Sequence, residues 1–169
     1  MKIDVHNVKE LVIDHRAREW CILSYPDHPK GCPNYGKKKT CPPFAPLVEN
    51  FVDIHNHLWF VTIEFDLISH IQRMLSLHPK WSNRQARCVL YWQPRVNREL
   101  LEATLRYNYT IWGSVFTLAP EAMGVNVIKT ARKCGIPIKN HPIEKVYKIA
   151  LIGYPPNFNF ERDIIRKGR

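Results

Sequence analysis

No run of apolar residues in this chain reaches the roughly 18 needed for a membrane-crossing helix. The opening residues, Met1-Lys2-Ile3-Asp4-Val5-His6, carry no signal-peptide apolar region, so a cytoplasmic location is expected and no membrane partner. There is no Gly-x-Gly-x-x-Gly, P-loop, His-Glu-x-x-His or Gly-x-Ser-x-Gly, which removes local support for nucleotide hydrolysis, zinc-protease and serine-esterase chemistry. Glycine is scarce, with 7 residues against 13 prolines, so the loops are stiff. The five cysteines are an odd number with no secretory context, and they include no Cys-x-x-Cys pair. A disulfide framework is not indicated.

What is present is a proline-studded loop, about residues 20–46, holding Cys21, Cys32 and Cys41. Pro33 follows Cys32 and Pro42 follows Cys41, which biases both cysteines toward extended backbone before any ligand arrives. Gly31 and Gly36 allow close backbone approach or positive φ. Lys30, Lys37, Lys38 and Lys39 stand among the cysteines, and residues 28–48 contain no Asp or Glu. That field is expected to lower the thiol pKa values and to offset the charge of a metal–thiolate centre. Buried structural cysteines normally sit in apolar segments. Three in one polar, basic loop point instead to a metal.

Spacing separates the metals. Structural zinc sites show ligand pairs a few residues apart. Here the gaps are ten and eight residues, which favours a larger centre, a 4Fe-4S cluster, with zinc as the alternative. A four-iron cluster takes four ligands, and the loop offers three cysteines. Cys88 is the first candidate for the fourth, within a segment that reads as a helix. Cys134, at a helix end capped by Gly135, and His28, inside the loop, are the others. A fourth iron without a protein ligand, open to water, sulfide or substrate, is the remaining possibility.

The segment Cys32-Pro33-Asn34-Tyr35-Gly36 through Cys41-Pro42-Pro43-Phe44-Ala45-Pro46 resembles the signature of the "predicted metal-binding protein" family, a domain of unknown function. Pro120-Glu121-Ala122-Met123-Gly124-Val125-Asn126-Val127, leading to Thr130-Ala131-Arg132, is similar to that family's C-terminal motif. The resemblance implies metal binding, with an iron–sulfur centre, and implies no substrate. Many members carry a further Cys-rich stretch before the second motif. This chain has Thr117-Leu118-Ala119 there, which leaves the fourth ligand open.

Periodicity predicts a strand over 58–65, an amphipathic helix over 66–77 and a strand over 146–153. Residues 6–20 read as a short strand or helix, and 48–57 as a helix. A helix is expected over 82–93, taking in Cys88, with a kink or restart at Pro94 and a second segment to about Tyr107. A strand over 111–118 and one helix from Pro120 to Cys134 complete the reading. Strands separated by helices predict an α/β or α+β fold, a small sheet flanked by helices, in one domain over 1–169.

The formal net charge is +10. Residues 129–169 hold ten Lys or Arg against three acids, including a basic tail from about 155. That surplus suits RNA or another polyanion, and Tyr154, Phe158 and Phe160 are candidates for stacking on bases. Two lesser candidates remain. His55 and His57 would share one side of an extended segment as metal ligands. Glu121 reads as a general base or, more simply, as a first-turn acid favoured by a helix dipole.

Overall fold

The computed structural model describes residues 1–24 and 29–159. His28 and Phe160 therefore lie outside the described residues. Strands β1 (Lys2–Asn7), β2 (Leu58–Asp66), β3 (Val115–Thr117) and β4 (Lys145–Gly153) form one antiparallel sheet in the order β1-β2-β4-β3. The fold class is α+β. The long central pair is β2 with β4, in register from Leu58 opposite Gly153 to Asp66 opposite Lys145. Neither face of this pair is solvated, so both strands read as near-continuous apolar runs.

Alternation along β2 and β4 divides the core in two. Val61, Ile63, Ala150 and Ile152 point to one face, against Leu67, Trp92, Val96, Leu100 and Ala103. That face is covered by helix α1 (Leu67–Leu77), against which α2 (Asn83–Ala86) packs, and by α3 (Gln93–Thr110). Leu58, Phe60, Ile149 and Leu151 point the other way, against Ala45, Val48, Val52, Met123, Val125, Val127 and Ala131. That second face is covered by turns, by the cysteine loop and by α4 (Val127–Lys133).

Local chemistry sets the helix ends. The Asp66 carboxylate accepts from the Ser69 backbone N–H at 2.9 Å and starts α1. Ser82 and Gln85 form a reciprocal capping box at α2. Pro94 sits in the first turn of α3, where its missing N–H costs nothing.

Several expected elements are shorter or interrupted. The 48–57 helix is only a 3-10 turn, Val48–Asn50. Beyond it, the Asp53 and Asn56 side chains accept from the backbone N–H groups of His55 (3.0 Å) and His57 (2.8 Å), competing with helical bonding. His55 and His57 thus lie on a turn, not a strand, and His57 stacks on Trp59. The helix from Ser82 stops at Ala86, and Cys88, at φ −55°, ψ 127°, is non-helical. The strand over 111–118 reduces to β3 because Gly113, at φ +78°, turns the chain. The helix expected over 120–134 breaks at Gly124, φ +94°, into a 3-10 turn, Pro120–Met123, and α4.

Candidate metal centre

Cys21 ends a 3-10 segment, His15–Ile22, that packs directly on the Pro120–Met123 turn. Backbone bonds stitch the approach to this contact. Asp14 N–H donates to Gly124 carbonyl at 2.8 Å, and Asn126 N–H to Val12 carbonyl at 2.8 Å. A Cβ on Gly124 would stand 2.7 Å from the His15 ring, so the two turns meet there only because the residue is glycine. His15 in turn bonds Glu49 at 2.8 Å, and Arg18 donates to the carbonyls of Pro43 (3.0 Å) and Pro46 (3.3 Å). The segment bearing Cys21 is thereby fastened to the far end of the loop.

The loop is held mainly by its own backbone. Cys32 N–H donates to the Cys21 carbonyl at 2.6 Å, and Cys41 N–H to the Lys38 carbonyl at 2.9 Å. Gly36 N–H donates to the Pro42 carbonyl at 2.8 Å, closing the stretch between the second and third cysteines. Gly31 is buried at φ +78°, and a Cβ there would lie 2.5 Å from the Cys21 carbonyl oxygen. The glycine lets Cys21 and Cys32 come together. All five cysteines are free thiols, and each keeps partial exposure.

Burial raises the Cys21 thiol pKa above its ordinary value, and the charges of Cys32, Cys41 and Glu121 raise it further. The expected lowering by the lysine field is not seen at Cys21. Lys37, Lys38 and Lys39 are solvent-exposed, and desolvation plus neighbouring negative charge prevail. Cys32 and Cys41 therefore lie near enough to Cys21 to act on its thiol. Among the described residues, no three His, Cys, Asp or Glu side chains stand close enough to hold a single metal ion.

Glu121 is the residue that sequence reasoning underrated. It sits in the Pro120–Met123 turn, crowded by protein atoms though not fully hidden from solvent, and desolvation raises its pKa. Lys148 on β4 partly opposes this, while its own pKa is lowered by burial. Its position after a proline suggested a helix first turn. Only the packing of two distant turns puts it beside Cys21.

The other two cysteines lie on other elements. Cys88 follows α2, which packs on α1, and the neighbouring Arg87 carbonyl accepts from the indole N–H of Trp92 in the helix-side core. Cys134 ends α4 beside Asn7, Lys9, Glu10 and Lys133, with its Sγ 3.9 Å from the Asn7 carbonyl oxygen. Neither contributes to the charge felt by Cys21.

Of the aromatic residues considered for base stacking, Tyr154 and Phe158 are engaged internally. Tyr154 is buried and stacks on Phe158 at 4.9 Å, with Trp59 edge-on at 6.0 Å. Phe158 also lies against Gly113, where a Cβ would meet its ring at 2.3 Å. No helix among the described residues is long and apolar enough to cross a membrane.

Compared with protein-family models, with curated proteins and with solved structures, the chain matches none.

Proposed function

We propose that this protein holds a 4Fe-4S cluster on Cys21, Cys32 and Cys41, and acts in redox or sulfur-related chemistry on a polyanionic substrate, RNA or a phosphorylated molecule. The observation that carries this reading is the placement of Cys32 and Cys41 near enough to Cys21 for their charges to add to the burial that raises its thiol pKa, with Cys32 N–H donating to the Cys21 carbonyl at 2.6 Å. A bound cation would offset that negative charge. The donor chemistry suits the group: all three residues are free thiols. The resemblance of the two motifs to the predicted metal-binding family points the same way.

The fourth position belongs to Cys88, with Cys134, His28 or a ligand from outside the protein as alternatives. When bound, the cluster supplies one-electron transfer or, at an open iron, a Lewis acid. The chain's own contribution is positional. Gly31 admits Cys32 to the Cys21 carbonyl, Arg18 fixes the loop's end, and Glu121 places a carboxyl near Cys21. The net charge of +10 supports contact with a polyanion, and five free thiols suit the reducing cytoplasm.

The test is iron, sulfide and zinc content, with an absorption spectrum, on protein purified without oxygen. About four irons and four sulfides per chain are expected. One zinc and no iron would replace this reading with a structural zinc module that binds nucleic acid or protein.

A further inference from the structure

The stretch that carries Cys41 and the stretch that carries Glu121 also enclose a cavity. It has a volume of about 360 Å³, and its walls come from Lys39, Thr40, Ala45 and Pro46 on one side and Phe116–Ala119 with Met123 on the other. Phe51 contributes to the lining. This is the lower end of the size range of small-molecule sites. The walls are mostly apolar, as such sites are, with polar groups from Lys39, Thr40 and Thr117. Among the described residues, Lys39 is the only charged residue of the lining, and no acid lines the cavity with it. The Thr117 hydroxyl oxygen accepts from Ala119 N–H at 3.2 Å and keeps its proton to donate to a ligand. The polar inventory is thus an ammonium and two hydroxyls beside an apolar hollow.

We propose that this cavity binds a small apolar carboxylate, with its charged end on Lys39 and Thr40 and its carbon body against Phe51, Phe116, Leu118 and Met123. The cavity shares its wall with the metal loop: Thr40 directly precedes Cys41, and Ala119 and Met123 flank the Glu121 turn. As a substrate site it rests on the metal-centre reading; as a binding site it does not. A neutral ligand would leave the ammonium unused, and a large polyanion would not enter a hollow of this size.

The test uses the full chain with hexanoate as probe and 1-hexanol as its uncharged counterpart, followed by ligand-observed NMR titration. Hexanoate should bind more tightly than hexanol. Lys39→Gln should weaken hexanoate roughly tenfold or more and leave hexanol unchanged, since it removes one charge-assisted bond. Ala119→Trp should abolish both by filling the cavity. Leu118→Trp does the same from an exposed position and serves if the first variant misfolds. Absence of hexanoate binding to the unaltered protein overturns the proposal. So does equal affinity in Lys39→Gln, or binding that survives the tryptophan variants. Iron content of the same samples separates the two readings. Hexanoate binding without iron keeps the cavity and removes the cluster. Iron without hexanoate binding does the reverse.

Discussion

The two faces of the sheet are covered by different means. On one, α1 and α3, with Trp92, lay apolar side chains on Val61, Ile63, Ala150 and Ile152, and burial does the work. On the other, the sheet is equally apolar, but over the cysteine loop the cover thins to turns. Pro42 and Ala45 are buried there, while Pro43, Phe44 and the lysines are exposed. Order in the loop comes from backbone bonds and from Arg18 reaching across to Pro43 and Pro46. Helix-covered structure survives the loss of any one polar contact. Loop structure of this kind depends on each tie, and a shared ligand would tie three points at once.

The sharpest break between the faces is Cys41→Ser. It should remove all bound metal and open residues 29–46 to protease while the helices keep their far-ultraviolet signal. Metal analysis and limited proteolysis check this. Cys88→Ser should lower metal content too, and unchanged content would pass the fourth position to Cys134, His28 or an outside ligand. Next comes Leu100→Ala on α3, buried at 2% exposure. It should cost about 2–5 kcal/mol of global stability in denaturant, with metal per folded chain unaltered. Gly31→Ala should cost at least about 1 kcal/mol, because positive φ and the Cys21 carbonyl both oppose a Cβ. It should also lower metal content although every thiol remains, which separates geometry from ligand chemistry. Ser82→Ala, removing the α2 cap, should cost only about 1 kcal/mol and leave the loop untouched.

The subtlest test is of pH. Burial pushes the Tyr147 phenol up to about 12, and its hydrogen bond to Glu64 (2.5 Å) adds to this. The folded state thus holds the phenolic proton more tightly than the unfolded one. Its stabilising contribution is complete below the ordinary phenol range and is lost as pH rises through about 12. Ultraviolet titration of native protein should show one late-ionising tyrosine, and Glu64→Gln should bring it down.

The strands at 58–66 and 145–153 and the helix at 67–77 were legible because long apolar patterns and caps speak for themselves. β1 was misplaced. Its Lys-Ile-Asp-Val-His-Asn alternation is that of an edge strand, with Ile3 and Val5 both 39% exposed, so no strong apolar signal marks it. The break at Gly124 was missed because the residues around it suit a helix, and only His15 packing on that glycine explains it. The cysteine loop itself was readable from composition. The position of Glu121 beside Cys21 depends on tertiary packing, which local pattern does not carry.

The strand order has a consequence for biogenesis. β4 lies between β2 and β3, yet among the described strands it is the last to be synthesised. A growing chain carries Cys21, Cys32 and Cys41 long before the Pro120 turn that packs on the Cys21 segment is made. On the proposed metal-centre reading, assembly of the centre waits for that turn.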